Sequence, residues 1–430
     1  VHLSGPLPEN IDLKAGLAEA KSGVPEFQIF EIMMNETCYT HILPFFPFQY
    51  GGIAGFSSCV QAHVLSHKCE FEKLPMAMNY AVLVSGGVDS AVALHQLVRR
   101  ADGPVTAYYL KIWLEDEMSF LGSCPWEEDL SYARDVCRAA GVALEVVPLQ
   151  REYYERVVSY TVDELRAGRT PSPDIFCNQR IKFGAFMDAV GDSADRVVTG
   201  HYAQVRRTGG GAELLQAPDP VKDQTYFLSH LSQSQLARAE FPVGSLTKRE
   251  VRQQAAQLGL SNRDRPDSQG ICFLGKIRYR DFVRHYLGTR SGPILEAGSG
   301  RRLGEHEGAW FYTIGQRQGL GLGNGPWYVV RRDVRENVVE VAHAEGVAGR
   351  ARSTFRVGAL HWINAAPALE GQRGLSLKLR HGPEMVGCHL EDRNGQLQVS
   401  MERADRGVAA GQFAVFYRDG VCLGSGMILE

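Results

Sequence analysis

No stretch of the chain reaches the ~18 consecutive apolar residues that a membrane helix needs. The best candidate, Ile42 to Phe48, is short and broken by Pro44 and Pro47. Cysteine is sparse, 9 in 430 residues, which excludes a disulfide scaffold and points to a reducing compartment. The nine stand at 38, 59, 69, 124, 137, 177, 272, 388 and 422, and no two form a Cys-x-x-Cys pair, so a structural zinc site is not expected. Any cysteines that act together must meet through the fold. No glycine-rich turn is followed by Gly-Lys-Ser/Thr, which removes the Walker type of nucleotide loop. Low-complexity tracts and internal repeats are also missing.

What is present is the balance of an ordinary globular protein, 44% hydrophobic and 22% charged. At roughly 100–200 residues per domain the length predicts two to four domains. The net charge of −3 hides an asymmetry: residues 276–430 hold 21 Lys+Arg against 16 Asp+Glu, whereas residues 1–275 hold 25 against 33. A basic C-terminal portion suits a polyanionic partner.

Residues 1–78 stand apart. They carry eight acids, four lysines and no arginine, with a Pro/Phe-rich patch and no sustained period. Their position suits a leader to a plastid or mitochondrion, whereas their acids and missing arginines fit a transit peptide poorly and leave a cytoplasmic protein as the alternative. We expect a poorly ordered extension, with Met76 or Met78 as alternative starts.

From Tyr80 the pattern alternates. Short apolar runs at Tyr80–Val84, Val105–Leu110, Val142–Val147 and Arg196–Val198 read as buried strands, and Ala91–Arg99, Leu130–Ala140 and Tyr153–Ala167 have helical spacing. Strand–helix–strand units of this length predict a parallel, doubly wound α/β domain over 79–275. After Gly275 the chain is glycine-rich with short β-branched runs, which predicts two small β domains, 276–350 and 351–430, of barrel type.

The sharpest local signal is Ser85-Gly-Gly-Val-Asp-Ser90, directly between a strand and a helix. Such a turn aims backbone N–H groups and the positive end of a helix at one point, an anion site. Gly86 and Gly87 admit a phosphate closely, Ser85 and Ser90 add hydroxyls, and Asp89 is suited to a Mg²⁺ ion or to capping the helix. Two further stretches each place a cysteine among turn-forming and polar residues: Thr170-Pro-Ser-Pro-Asp-Ile-Phe-Cys177-Asn-Gln-Arg-Ile-Lys-Phe-Gly184 and Asp267-Ser-Gln-Gly-Ile-Cys272-Phe-Leu-Gly275. Both read as stiff polar loops rather than as core.

The Ser85–Ser90 loop resembles the pyrophosphate loop (PP-loop) of the ATP pyrophosphatase superfamily. Together with the two cysteine stretches, and with Thr199-Gly-His-Tyr-Ala203, Lys222-Asp-Gln-Thr-Tyr-Phe-Leu228, Phe241-Pro-Val-Gly244 and Tyr312-Thr-Ile-Gly-Gln-Arg317 in that order, the chain from about Tyr80 to Glu430 resembles the tRNA-specific 2-thiouridylases. Cys124-Pro-Trp-Glu-Glu-Asp129 is similar to their organellar or plant-type branch.

The resemblance implies ATP-dependent 2-thiolation of the wobble uridine of tRNA, with ATP and its Mg²⁺ as cofactors and a sulfur-donor protein and tRNA as partners. It implies that Leu83, Val84, Ser85, Gly86, Gly87, Val88, Asp89 and Ser90 bind ATP, with Leu110 and Gly200 bounding the adenine and ribose. Cys272 would carry a persulfide, Cys177 would be its partner thiol, and Asp174 the acid or base near the base. Ser172, Pro173, Asp174, His201, Lys222, Asp223, Gln224, Arg380, His381 and Gln412 would contact tRNA. Ser172 stands where the family usually has Asn, and His381 where it often has an aromatic residue. Either Cys177 attacks the persulfide and releases sulfide, or the sulfur on Cys272 attacks the base and Cys177 resolves the intermediate. Both routes need the two sulfurs within disulfide range. Another PP-loop ligase would not need two such cysteines or basic β domains, and an idle RNA-binding module would not need an intact phosphate loop. The remaining cysteines after residue 78, Cys124, Cys137, Cys388 and Cys422, suit packing, as do His230, His285 and His361.

Overall fold

The computed structural model describes residues 77–112, 126–267, 278–368, 372–393 and 396–429, together with a backbone strand pair, Glu31–Met34 with Thr37–Thr40. The chain divides into two units, Val1–Glu72 and Lys73–Glu430. In the first, the strand pair is antiparallel, with Glu31 opposite Thr40 and Met34 opposite Thr37.

The second unit is built on a five-stranded parallel sheet in the order Leu144–Pro148, Val105–Lys111, Tyr80–Leu83, Arg196–Val198, Ala239–Glu240. The chain starts in the middle at Tyr80, winds outward through two strands on one side, then returns to pair Arg196–Val198 on the other. That reversal is a topological switch point, where strand ends open a crevice between them. Side chains alternate across the central strand. Val82 and Val84 pack with Val92, Leu94 and Val136 on one face, while Ala81 and Leu83 pack with Tyr153, Phe183 and Phe186 on the other. Helix Trp126–Ala140 buries Leu130, Ala133, Val136 and Cys137, a stripe at helical spacing, and leaves its acidic first turn outside.

Two β regions follow. The central one is a four-stranded sheet in the order Arg302–His306, Gly292–Glu296, Val338–His343, Trp327–Asp333, with one parallel pair between Gly292–Glu296 and Val338–His343. The C-terminal one closes. Its strands run Arg352–Trp362, Gln396–Asp405, Val386–Arg393, Leu375–Lys378, Phe413–Arg418, Val421–Ile428 and back to Arg352–Trp362, all antiparallel, around Val357, Leu377, Leu390, Val399 and Phe416. The strand Val421–Ile428 forks: its later residues close the barrel, while Val421 and Cys422 pair with Leu215 and Leu214 of a hairpin, Ala203–Thr208 with Gly211–Gln216, that grows out of the parallel domain. The barrel and the nucleotide-type domain thus share one sheet.

The stretch around Cys177 departs from the expected loop. Pro173–Phe176, Cys177–Ala185 and Phe186–Val190 run on as one helix, wound as a π-helix through the middle. Pro173 begins it, where its missing N–H costs nothing and its fixed φ suits the first turn. Ile175, Phe176, Ile181, Phe183 and Phe186 supply the buried face. The polar residues Asn178, Gln179, Arg180 and Lys182 between them mask the period in the sequence.

Barrel closure depends on Gly424. Its φ is +141°, and a Cβ there would lie 2.1 Å from the carbonyl oxygen of His361 on the facing strand. We expect Gly424→Ala to destabilise the protein by on the order of 2–3 kcal/mol, from strain and a clash with backbone that cannot yield. Chemical denaturation of the two proteins measures it.

Candidate functional site

The loop after the central strand turns on Gly86, whose φ is +77° and whose absent Cβ would sit 2.4 Å from the Asp129 carbonyl oxygen. Helix Val88–Val98 then starts with Gly87 as its N-cap. The expected cap, Asp89, is inside the first turn instead. Ser90 closes the loop from within: its hydroxyl donates to the Gly87 carbonyl at 3.0 Å and accepts the Ser85 N–H at 3.2 Å. The Gly86 carbonyl accepts from Asn262 Nδ2 at 2.9 Å and from Arg265 at 3.2 Å, and Arg265 also pairs with Asp129. Leu83, Val84, Val88 and Ser90 are buried, Gly87 and Asp89 half-buried, and Ser85 exposed. A rigid loop with the open amides of a helix N-terminus is a polyphosphate cradle.

Gly200 presses against the same turn. A Cβ there would stand 2.6 Å from the Ser90 nitrogen, so the strand end and the loop touch backbone to backbone. Leu110, near the end of the adjacent strand and paired in register with Val147, is half-buried beside the crevice. His201 is buried, with Nδ1 2.7 Å from the Thr199 hydroxyl, and burial followed by the Lys182 charge lowers its pKa well below the usual imidazole value.

The charges around Asp89 form a network that the sequence did not single out. Lys248 Nζ lies 2.7 Å from Asp89 and 2.6 Å from Asp267. Asp267 also takes Lys222 at 2.6 Å and Arg252 at 2.8 Å. The Tyr202 hydroxyl donates to Asp89 at 2.7 Å. Burial and then the Asp89 carboxylate raise the Tyr202 pKa, so the phenol stays a donor. Lys248 is the first residue of helix Lys248–Gln257, after Thr247, which forms a capping box with Glu250. That Thr-x-x-Glu spacing is legible in the sequence and was the available signal for Lys248. Asn262 and Arg265 carry no comparable signature. Among the described residues no group of three or more His, Cys, Asp or Glu side chains could hold a metal.

Cys177 is 1% exposed, in the helix beginning at Pro173, with Phe176 beside it. The Phe176 ring meets Tyr160, His230 and Phe413 edge-on and lies under the Arg180 guanidinium, 3.8 Å away. Asn178, 2% exposed, donates to the Phe227 carbonyl at 3.1 Å. Cys272 and Cys124 lie outside the described residues. Asp267, the last described residue before the Cys272 segment, is tied to Lys222, Lys248 and Arg252 as above. Cys137 and Cys388 are buried, and burial pushes their thiols up to about 11 and about 12. Cys422 is likewise buried and raised. These three are held as poorly ionised thiols, unsuited to nucleophilic work.

The remaining candidates gather at the seam between this domain and the barrel. The Ser172 N–H donates to the Tyr160 hydroxyl at 3.2 Å, Pro173 is buried and Asp174 half-buried in the first turn of the Cys177 helix. The Thr170 N–H donates to the Ala410 carbonyl at 2.8 Å, which brings Gln412 close to that turn. His381 stacks on Phe227 with centroids 4.8 Å apart, and Arg380 pairs with Asp405 at 2.5 Å. Gln224 accepts the Tyr202 N–H at 2.9 Å through its side chain. Asp223 needs correcting: its carboxylate is 1% exposed and bonded to the equally buried Lys378 at 2.7 Å, so it faces the interior rather than a polyanion. A carboxylate beside a phosphate would repel it, and burial with a cation resolves that conflict.

Asp267 titrates low. Burial alone would raise its pKa, but the hydrogen bonds and charges of Lys222 and Lys248 outweigh that and hold it at about 2. A carboxyl with a depressed folded value contributes stability that is present above its unfolded pKa, about 3.9, and lost as pH falls toward the folded value. Thermal melts of wild type and Asp267→Asn should differ most above pH 5 and converge between pH 4 and pH 2.

Three family models match the chain in succession: a tRNA methyl transferase HUP domain over residues 78–276, a tRNA methyl transferase PRC-barrel domain over 280–343, and an aminomethyltransferase beta-barrel domain over 352–428. The tRNA-specific 2-thiouridylase MnmA 1 of Bacteroides thetaiotaomicron is 44% identical over 356 residues, covering 82% of this chain and 99% of that protein. The tRNA-specific 2-thiouridylase of Parabacteroides distasonis is 42% identical over 357 residues, covering 82% and 99%. That of Porphyromonas gingivalis is 43% identical over 361 residues, again covering 82% and 99%. Identity at this level across nearly the whole of each relative, on a fold that carries a phosphate loop and an antiparallel barrel, makes the chain a member of the tRNA-specific 2-thiouridylase family.

Proposed function

We propose that the protein uses ATP to replace the C2 oxygen of the wobble uridine, position 34, of tRNA with sulfur. The observation that carries this reading is one hydrogen-bonded path, Asp89 to Tyr202 to Gln224, which ties the phosphate loop to the segment beside the Cys177 helix. Nucleotide chemistry and sulfur chemistry have to meet at one carbon, and a rigid path between their two supports serves that need.

In this reading the C2 oxygen of uridine bonds to the α-phosphorus of ATP and pyrophosphate departs. The outer sulfur of the Cys272 persulfide then bonds to C2 and the oxygen leaves with AMP; the Cys177 thiol breaks the S–S bond, either before this step by releasing the sulfur as sulfide or after it by resolving the intermediate, and the resulting Cys177–Cys272 disulfide is returned to two thiols by a dithiol reductant. The loop Leu83–Ser90 holds the phosphates through backbone amides and the exposed Ser85 hydroxyl, with Ser90 bracing the loop from within and Gly200 and Leu110 at the nucleoside end. Asp89 would offer a single carboxylate to a Mg²⁺ ion that arrives on the phosphates, where it is now held by the Lys248 ammonium and the Tyr202 hydroxyl. A bound Mg²⁺ would supply charge neutralisation of the departing pyrophosphate. Lys248 itself brings a cation to the loop.

Cys272 is the proposed persulfide carrier, fed by a sulfur-donor protein. At 1% exposure Cys177 presents almost no surface to such a donor, which supports it as the partner thiol rather than the first acceptor. Asp174, in the first turn of the Cys177 helix, is the proposed acid or base. Lys222, Arg380, His381, His201, Gln412 and Ser172 are the proposed tRNA contacts, with Asp223 behind them as framework.

Asp89→Ala should abolish tRNA-dependent release of pyrophosphate while tRNA binding survives. Cys177→Ser and Cys272→Ser should each abolish 2-thiouridine, read by mass spectrometry of digested tRNA, and retain ATP–pyrophosphate exchange in the presence of tRNA. Adenylation needs neither thiol, and a serine hydroxyl can neither hold nor attack persulfide sulfur. Thiolation at the wild-type rate by either serine variant would overturn the assignment. Cys137→Ser should keep most of its activity.

A further inference from the structure

The buried pair Asp223–Lys378 has no place in the chemistry above, yet it lies where two candidate contact segments meet. Both side chains are 1% exposed, and their charged atoms are 2.7 Å apart. Asp223 is fully engaged: it also accepts from Thr225 Oγ1 at 2.9 Å, from the Ala217 N–H at 3.2 Å and from Gln216 Nε2 at 3.2 Å. Thr225 Oγ1 in turn lies 3.2 Å from the Tyr417 hydroxyl, and that ring faces Lys378. Next along the chain, the Tyr226 hydroxyl donates to the carbonyls of Leu379 and Phe413 at 3.2 and 3.1 Å, and Phe227 stacks on His381.

Sequence neighbours give the arrangement its meaning. Asp223 sits between Lys222 and Gln224. Lys378 ends a barrel strand, two residues before Arg380 and three before His381. One ion pair therefore fixes how far the barrel's Arg380–His381 lie from Lys222–Gln224 of the nucleotide domain. A buried ion pair contributes little net stability compared with apolar residues of the same shape, but it tolerates only one geometry, which suits it to setting register.

We infer that Asp223 and Lys378 are positioning residues that lock the barrel onto the nucleotide domain, so that cations from both domains form one tRNA-binding surface. The pair does not touch tRNA. It sets the spacing of groups that do, and it makes no direct contact with the phosphate loop, whose carbonyl and carboxylate are held by Asn262, Arg265 and Lys248. This rests on the tRNA-thiolation reading above.

The test uses the full chain. Lys378→Arg keeps the charge and changes its shape, while Asp223→Asn combined with Lys378→Met removes both charges and leaves an amide oxygen to accept the Ala217 N–H. Folding is checked by circular dichroism and thermal melting. In each folded variant we expect the Kd and KM for tRNA to rise roughly tenfold or more, as misplaced contacts do, with kcat and the affinity for a non-hydrolysable ATP analogue within twofold of wild type. Arg393→Gln, which breaks an exposed pair with Glu391 on another barrel strand, should change neither. If Lys378→Arg folds and binds tRNA within twofold of wild type, the pair does not set the surface and the inference fails, whether or not the double variant folds. Equal losses of ATP and tRNA binding would overturn it too, as a general structural defect. A wild-type chain that binds ATP but no tRNA would instead overturn the functional reading underneath, and that result appears before any variant is made.

Discussion

One ammonium group holds the site together. Lys248 bridges Asp89 of the phosphate loop and Asp267, at 2.7 and 2.6 Å, from the first position of its helix. A cation at a helix N-terminus opposes the helix dipole, and two carboxylates near one loop repel each other. Bringing these unfavourable placements together makes each tolerable. Asp267 extends the arrangement to Lys222 and Arg252, so the loop, the helix after it and the segment beside the barrel share one electrostatic framework. The backbone contact of Gly200 with Ser90 fixes the other side of the loop. The phosphate cradle is therefore preorganised by groups that are remote in the chain.

Sulfur chemistry asks for a different environment. Cys177 is buried on a helix wound partly as a π-helix, next to Phe176, whose ring meets Tyr160 and the barrel residue Phe413. Such windings occur mostly as local features at functional sites, because they displace side chains from α-helical positions. Burial protects a thiol from oxidants and from wrong partners, and it also restricts which sulfur can reach it. The other described cysteines, Cys137, Cys388 and Cys422, are enclosed too, and burial is the main cause that raises their pKa.

The barrel is more than an appended binding module. Val421 and Cys422 extend its sheet into the hairpin of the nucleotide domain, and Tyr226 reaches two barrel carbonyls. Removing one partner of the buried Asp223–Lys378 pair would leave an uncompensated charge, a cost of about 3–5 kcal/mol. A shared sheet and buried side-chain bonds across the seam suit an enzyme that must hold a large polyanion at a fixed distance from a small crevice.

Local patterns determined much of this by themselves. The parallel sheet was legible because buried strands read as short apolar runs with period-breaking turns between them, and Ser85–Ser90 because its glycines, hydroxyls and position all demand the same backbone. The basic balance of residues 276–430 and the order of the motifs pointed to the substrate class. The Cys177 segment misled because polar residues interrupt a helical face whose burial comes from distant partners, Tyr160 and Phe413. For Asp223 the resemblance implied a tRNA contact, and the ion pair with Lys378, 155 residues away, turns its carboxylate inward instead. Lys248 was passed over because its importance lies in two carboxylates that the sequence keeps far from it. Backbone conformation follows from neighbours a few residues apart, so sequence determines it; which charges are paired and which thiols are enclosed depends on contacts across the chain, and only the tertiary structure decides those.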